Sequence, residues 1–474
     1  MEELLMIYDL AIIGGGSAGL SVAAAAAQFG EKVVLFEKSE MGGDCLNSGC
    51  VPSKALIAAA KYAQAQRAGA AFGVAAVEPQ VDYAKVMDHV QRVIAAIAPH
   101  DSVERFEGLG VKVVQAAARF VSARRIEAAG EVFEARKIVI ATGSRAGVPP
   151  IAGLKDVPFL TNETIFKNRE KPSHLIIIGG GPIGMEMAQA HRRLGCQVTV
   201  LEGLKALGRD DPELSATVIE ALAAEGVALR EGVAIESVAQ AGGKIRVALK
   251  GGEVIEGSHL LVAAGRVPNL GGLNLEAAGV AYDRRGISVD ASLRSPGNRA
   301  VYAAGDAAGG LQFTHVAGYH AGLIIRNALF RLPVKNRTDI IPWVTYTDPE
   351  LAQVGLNEAE ARKAHGTAVK VLKWPFAEND RAQAEGKTKG MVKIITGRGG
   401  VILGAAIVGP SAGELIAPFV LAVTQKLKIS AFANLVLPYP TLGEAGKRAA
   451  ITAYAGLAQK PFTRRLLGLL KIFG

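Results

Sequence analysis

Short apolar runs that close on glycine recur along this chain. Tyr8-Asp9-Leu10-Ala11-Ile12-Ile13 ends at Gly14, and Leu175-Ile176-Ile177-Ile178 ends at Gly179. Runs of this length bounded by glycine read as buried strands of a parallel sheet. A helix-length stretch follows each, alanine-rich in the first copy, and then a second apolar run. These second runs are Lys32-Val33-Val34-Leu35-Phe36 and Gln197-Val198-Thr199-Val200-Leu201, ending on Glu37 and Glu202. The spacing from Gly14 to Glu37 equals that from Gly179 to Glu202, 23 residues, so one strand-helix-strand unit occurs twice. Three more apolar strands run into polar turns. They are Ile138-Val139-Ile140-Ala141 before Thr142-Gly143-Ser144, Leu261-Val262-Ala263-Ala264 before Gly265-Arg266-Val267-Pro268-Asn269, and Val301-Tyr302-Ala303-Ala304 before Gly305-Asp306. Later the pattern changes to alternation, as in Met391-Val392-Lys393-Ile394-Ile395.

Both glycine clusters have the form Gly-x-Gly-x-x-Gly: Gly14, Gly16 and Gly19, then Gly179, Gly181 and Gly184. Such a motif alone says little, but here each has a strand before it, a helix after it and an acid at the end of the next strand. The first glycine makes the tight turn. The second lets backbone amides approach a pyrophosphate, and the third lets helix and strand pack closely. The helix N-terminus stabilises phosphate charge, and the carboxylate accepts hydrogen bonds from ribose hydroxyls. Two such units predict two bound dinucleotides. The expected fold class is α/β, with two Rossmann-like dinucleotide-binding domains.

The length of 474 residues exceeds a single core and predicts several domains. The net charge of +9 comes from basic residues spread along the chain, with no nucleic-acid reading module, so nucleic acid is not an expected partner. Three cysteines exclude a disulfide framework and an all-cysteine zinc site, and no metal site is expected. Cys196 reads as a packed small residue. The start, Met1-Glu2-Glu3-Leu4-Leu5, has no basic n-region, and no apolar stretch reaches the ~20 residues of a membrane span. A cytoplasmic location is expected.

The chemistry centres on Gly42-Gly43-Asp44-Cys45-Leu46-Asn47-Ser48-Gly49-Cys50-Val51-Pro52-Ser53-Lys54, just after the first glycine unit. A dithiol beside a dinucleotide site points to electrons moving between a nicotinamide, a flavin and a disulfide. The run resembles the active-site signature of the flavoprotein disulfide reductases, which include glutathione reductase, dihydrolipoamide dehydrogenase and mercuric ion reductase. The likeness extends over residues 1–455. It implies FAD on the first unit and a nicotinamide donor on the second. Glu202 favours NAD(H), because a carboxylate there repels a 2′-phosphate, while Arg192, Arg193 and Arg209 keep NADP(H) open. It also implies an FAD-binding domain of 1–145 and 271–340, an NAD(P)H-binding domain of 146–270 inserted in it, and a C-terminal α+β dimerisation domain of 341–455. In this homodimer each active site is completed by the partner's C-terminal domain. Hydride would pass from NADH to the flavin, which would then open the Cys45–Cys50 disulfide. Cys50 would be the thiolate beside the flavin, and Cys45 the interchange thiol that meets a small-molecule disulfide or a thiol-bound metal. Lys54, one helical turn beyond Cys50, and Glu186 would pair beside the flavin and nicotinamide. Asp306 would bind the ribityl and phosphate region. Cofactor contacts are further implied for Gly43, Thr142, Gly143, Ser144, Ile183, Gly265, Phe313 and Thr314.

Substrate choice is expected to lie in Val436-Leu437-Pro438-Tyr439-Pro440-Thr441-Leu442-Gly443-Glu444. In dihydrolipoamide dehydrogenase and glutathione reductase a histidine-proline pair and a later glutamate supply the acid/base. Here Tyr439 stands in the histidine position and Glu444 keeps the glutamate, and no histidine follows His365. A phenol with an ordinary pKa near ~10 is a weak base at neutral pH. The mercuric ion reductases resemble this segment better, and a soft metal needs thiolates rather than a histidine base. No counterpart of their C-terminal cysteine pair or their N-terminal metal-binding module is expected here. Rival readings are a dihydrolipoamide dehydrogenase with altered acid/base chemistry, a flavin diaphorase or quinone reductase, and a non-enzymatic redox sensor. The segment 456–474, basic and apolar, is expected either to pack on the dimer, the preferred reading, or to lie in a membrane interface.

Overall fold

The computed structural model describes residues 6–456 and 460–473; Met1 to Leu5, the acidic start, lies outside them, as does Gly474. The chain divides into two units. One comprises Met1–Ala70, Val74–Gly203 and Ala228–Thr338, and the other Ala71–Gly73, Leu204–Val227 and Asp339–Gly474.

The first unit carries two sheets whose parallel strands follow a related order. In the larger one, Ile7–Ile13 lies between Val33–Phe36 and Glu131–Ile140, and Lys112–Val114 pairs beyond Val33–Phe36. In the smaller one, His174–Ile178 lies between Gln197–Glu202 and His259–Val262, and Ala228–Glu231 pairs beyond Gln197–Glu202. Both therefore run third-second-first-last, the arrangement that opens a crevice at the C-terminal ends of the strands. The strand Glu131–Ile140 pairs along its other edge with two further strands. Its first half pairs antiparallel with Arg125–Ala128, and its last three residues pair with Val301–Ala303.

The apolar runs are continuous because both sheet faces are covered. Leu10 and Ile12 pack among the helices Ser17–Gln28 and Thr314–Ala328. Ala11 and Ile13 turn to the other core with Phe36, Phe120 and Ile140. A one-residue slip would exchange the two sets without exposing a polar residue, so register rests on the turns. Those turns are the glycines Gly14 and Gly179, with φ of +113° and +112°.

The second unit is built on an antiparallel sheet in the order Trp343–Thr345, Glu350–Gly355, Ile402–Gly409, Met391–Thr396, Lys370–Pro375. One face carries Val392, Ile394 and Ile407 against Phe419 and Phe432. Across the same strand Lys393 is also buried, at 4% side-chain exposure. Its ammonium bonds Asp211 Oδ2 at 2.8 Å, Glu213 Oε2 at 3.1 Å and Glu358 Oε2 at 3.0 Å. Asp211 in turn caps the helix Pro212–Ala224 by accepting from the Glu213 amide. This helix, from the stretch that carries the second glycine unit, thereby belongs to the second unit. Lys393→Met leaves the buried Asp211 carboxylate without its cation. Loss of one partner of a buried pair costs roughly 3–5 kcal/mol. The cap bond persists, so the lower end is expected, read as a fall in the denaturant midpoint of the full chain. An unchanged midpoint would show the cluster to be idle. Among the described residues no helix is long and apolar enough to cross a membrane.

Candidate active site

The loop after Val33–Phe36 places two thiols together by breaking one helix into two. Gly43–Asn47 forms a short helix, fastened because Asn47 Nδ2 donates to the carbonyls of Met41 and Gly43, both at 3.0 Å. The chain then breaks at Ser48 and Gly49 and restarts as the helix Cys50–Ala68. Gly49 is required there, since a Cβ would sit 2.9 Å from both the Asp44 carbonyl oxygen and Oδ2. Cys45 thus ends up half-buried on the short helix, and Cys50 exposed in the first turn of the long one. Both are free thiols in this structure.

Their environments push the two apart. The hydrogen bond from the Cys45 thiol lowers the pKa of Cys50 most. Desolvation opposes it, while Thr314 and the Lys54 ammonium add to it, and the result is about 6. Thr314 Oγ1 lies 3.3 Å from Cys50 Sγ. The open first turn of the helix Cys50–Ala68, which has no side-chain cap and no acid, favours the same thiolate. Cys45 moves well above the ordinary thiol range, through its bond to Cys50 and burial. Cys196, fully buried, is raised by desolvation to about 11 and is chemically quiet. In the reduced protein, the iodoacetamide alkylation rate at Cys50, followed by peptide mass spectrometry, is expected to rise with pH to a half-point near 6. A half-point at the ordinary thiol value, ~8.5, would contradict the pairing.

One turn along, Lys54 Nζ bonds Glu186 Oε2 at 2.8 Å. The glutamate is 6% exposed and sits on Pro182–Arg193, the helix after the second glycine turn. This pair joins the dithiol helix to the second dinucleotide fold. Ile183, one turn earlier, is exposed.

The glycine turns are alike in atomic detail. A Cβ on Gly14 would lie 2.3 Å from the Ala141 oxygen, and one on Gly179 2.4 Å from that of Ala263. A Cβ on Gly19 or Gly184 would lie 1.9 or 2.0 Å from the oxygen of the first glycine. The protein's own backbone therefore demands the first and third glycines of each motif. The middle ones differ. A Cβ on Gly181 would meet nothing within 4 Å, and one on Gly16 only Gly43 Cα at 3.7 Å. Open space at that position is what a pyrophosphate needs. The acids complete each turn, Glu37 Oε2 accepting from the Gly15 amide at 2.6 Å and Glu202 Oε2 from the Gly180 amide at 2.7 Å. Thr142 Oγ1 is buried with no hydrogen-bond partner among the described residues, beside Gly143 at φ +66°. The residues present thus fit two dinucleotides.

Arg266, which follows Gly265, ties this region together. Its Nε and Nη2 donate to Ser144 Oγ at 2.7 Å and Ser144 O at 3.1 Å. Nη2 also pairs with Asp44 Oδ2 at 3.0 Å. Ser144 Oγ donates to Asp306 Oδ2 at 2.5 Å, and burial raises the pKa of Asp306 above the usual carboxylate range. Asp44, adjacent to Cys45, also accepts from Asn162 Nδ2 at 2.8 Å. Phe313 stands just before the helix Thr314–Ala328, stacked on His315.

Tyr439 and Glu444 lie in the second unit. The Tyr439 hydroxyl donates to Asp380 Oδ2 at 2.5 Å, and that bond raises the phenol above its ordinary pKa. Glu444 Oε1 accepts from Arg448 Nη2 at 2.9 Å and Nε at 3.1 Å. Each side chain thus has its own partner.

Two family models match. One, described as pyridine nucleotide-disulphide oxidoreductase, covers residues 8–321, and the other, the dimerisation domain of the same group, covers 341–450. This chain belongs to the pyridine nucleotide-disulphide oxidoreductase family. Members are FAD-dependent and use NAD(P)H. Mercuric reductase of Lysinibacillus sphaericus is 35% identical over 94% of this chain and 82% of its own. Dihydrolipoyl dehydrogenase of Thermus scotoductus is 37% identical over 94% and 96%. Among solved structures, LpdA from Mycobacterium tuberculosis has a TM-score of 0.87 at 28% identity, covering 94% of this chain and 100% of its own. The Cu(II) complex of the HOCl-induced flavoprotein disulfide reductase RclA from Escherichia coli has 0.83 at 26%, covering 92% and 98%. The chain is therefore a flavoprotein disulfide oxidoreductase, and its dimerisation domain supports a homodimer.

In this oxidoreductase, sequence reasoning missed Asp44, Asn162, Asp380 and the bridging part of Arg266. Asp44 and Arg266 stood inside the motifs, but their pairing spans distant segments. Asp380 carried no local signal.

Proposed function

We propose that this oxidoreductase uses NADH to reduce a thiol-bound soft metal ion through the Cys45–Cys50 couple, in the manner of the mercuric reductases it resembles. The observation that carries the reading is Tyr439, where a histidine would serve a dithiol substrate. Bonded to Asp380, its phenol stays protonated at neutral pH. With its one O–H given to Asp380, its oxygen can only accept a hydrogen bond, and it cannot take the proton of a dihydrolipoamide thiol. A soft metal arrives already carried by thiolates and leaves them for protein thiolates, so a base is dispensable.

FAD, when bound, supplies the two-electron relay between nicotinamide and dithiol. Gly14, Gly16, Gly19, Glu37, Gly43, Thr142, Gly143, Ser144, Gly265, Asp306, Phe313 and Thr314 would hold or border it. Gly179, Gly181, Ile183, Gly184 and Glu202 would hold NAD(H). Lys54 and Glu186 fix the meeting point of the two sites. Cys50 stays ionised, and Cys45 exchanges with the carrier thiol. For Hg(II) as a dithiolate, each turnover consumes one NADH and one proton. It releases NAD⁺, the reduced metal and two thiols. Residues 1–145 with 271–340, 146–270 and 341–455 are read as the FAD, nicotinamide and dimerisation domains, with Tyr439 and Glu444 serving the partner's site. Two redox-paired cysteines suit the cytoplasm.

The second reading, dihydrolipoyl dehydrogenase, is favoured by the 37% identity to the Thermus scotoductus enzyme. Anaerobic NADH oxidation with lipoamide, and with Hg(II) in excess thiol, separates the two. Turnover with Hg(II) and little with lipoamide is expected; fast lipoamide turnover reverses the assignment. The RclA complex makes Cu(II) a sensible third acceptor.

A further inference from the structure

Beyond the reaction, the chain presents a surface that the catalytic site does not use. The helix Pro461–Leu470 has no buried residue. At about 100° per residue, Phe462, Leu466, Leu467, Leu469 and Leu470 share one half of its circumference. Arg464, Arg465 and Gly468 occupy the other. Lys460 precedes the helix and Lys471 follows it, and the apolar character continues through Ile472 and Phe473. Phe462, near the start of the helix, is 75% exposed, and Phe473, three residues beyond its end, is 81% exposed.

We propose that this helix seats the enzyme on an anionic membrane surface, its apolar half sunk at the headgroup boundary and its arginines level with the lipid phosphates. Charge argues for this occupant. From Ala455 to Gly474 there is no aspartate or glutamate, against four lysines and arginines. A second copy of this chain carries a net charge of +9 and is a poor electrostatic partner for that face. The segregation of large apolar from basic side chains is the pattern of helices that lie in an interface rather than cross it. With ten residues the helix reaches about 15 Å, half a bilayer core. Attachment is therefore peripheral and reversible, and a homodimer would bring two such helices to one surface, multiplying the affinity of either.

The test is cosedimentation of the full-length, FAD-loaded protein. The vesicles are phosphatidylcholine, alone or with about one third phosphatidylglycerol. The protein is expected to pellet with the anionic vesicles at least about ten-fold more than with the neutral ones, and to be released by salt. Leu466→Asp combined with Leu470→Asp is expected to stay in the supernatant while keeping the parent's flavin spectrum and gel-filtration volume. Arg464→Glu with Arg465→Glu should weaken pelleting with anionic vesicles. Equal pelleting of parent and leucine variant overturns the proposal, as does equal pelleting with both vesicle types or no pelleting of the parent. A leucine variant that elutes as a monomer also overturns it, because the helix then packs between copies.

Discussion

Replacing Cys45 with serine is expected to lower NADH-driven turnover of thiol-bound Hg(II) by about 10³-fold or more. The loss has two sources in the structure. The acceptor loses its exchanging thiol, and Cys50 loses the hydrogen bond that contributes most to its low pKa. A serine hydroxyl restores some of that bond but cannot form a disulfide. Alkylation of Cys50 in the variant should therefore still occur, with its half-point moved upward from about 6. Small quinones that take electrons without a thiol should keep their rate. That contrast makes the variant decisive, because a diaphorase with incidental cysteines would lose nothing with any acceptor.

The second large effect is a gain. Tyr439→His is expected to raise lipoamide turnover, measured as anaerobic NADH oxidation. General-base catalysis is worth about 10²–10⁴-fold. The lower end applies here, because Glu444 is engaged by Arg448 and is not free to orient a new imidazole. Asp380, the present partner of Tyr439, would hold the histidine instead. The mechanistic sign is a pH profile: in this direction the histidine protonates the leaving thiolate, so the new activity falls as the imidazolium loses its proton, above the ordinary ~6.5 because Asp380 favours the charged ring. A variant no better than the parent with lipoamide would show that substrate choice does not rest on this position.

Both dinucleotide folds were legible in the sequence because their determinants are local. The spacing that links Gly14 to Glu37 and Gly179 to Glu202 is the geometry of one strand-turn-helix-strand unit. The structure shows the same bond, from a glycine-turn amide to the acid, in each. Lys54 was legible for a similar reason, as one turn beyond Cys50 on the same helix. Its bond to Glu186 crosses 132 residues and came from family resemblance rather than from pattern. Contacts made by tertiary packing alone were silent. Nothing near Tyr439 announces Asp380, 59 residues away, and nothing in the Cys45 loop announces Arg266. Lys393 shows the limit of binary patterning. Its place in an alternating strand is that of a side chain turned to solvent, yet it is buried because the helix Pro212–Ala224 brings Asp211 to it. Alternation reports which face a residue takes, not what covers that face.

The central claim is that nicotinamide electrons reach the Cys45–Cys50 pair. It is tested most directly by anaerobic thiol labelling of the oxidised protein, before and after stoichiometric NADH, with peptide mass spectrometry at each cysteine. The account predicts that Cys45 and Cys50 are protected before NADH and labelled together after it, while buried Cys196 stays unlabelled in both. Labelling of the pair that is independent of NADH would contradict it.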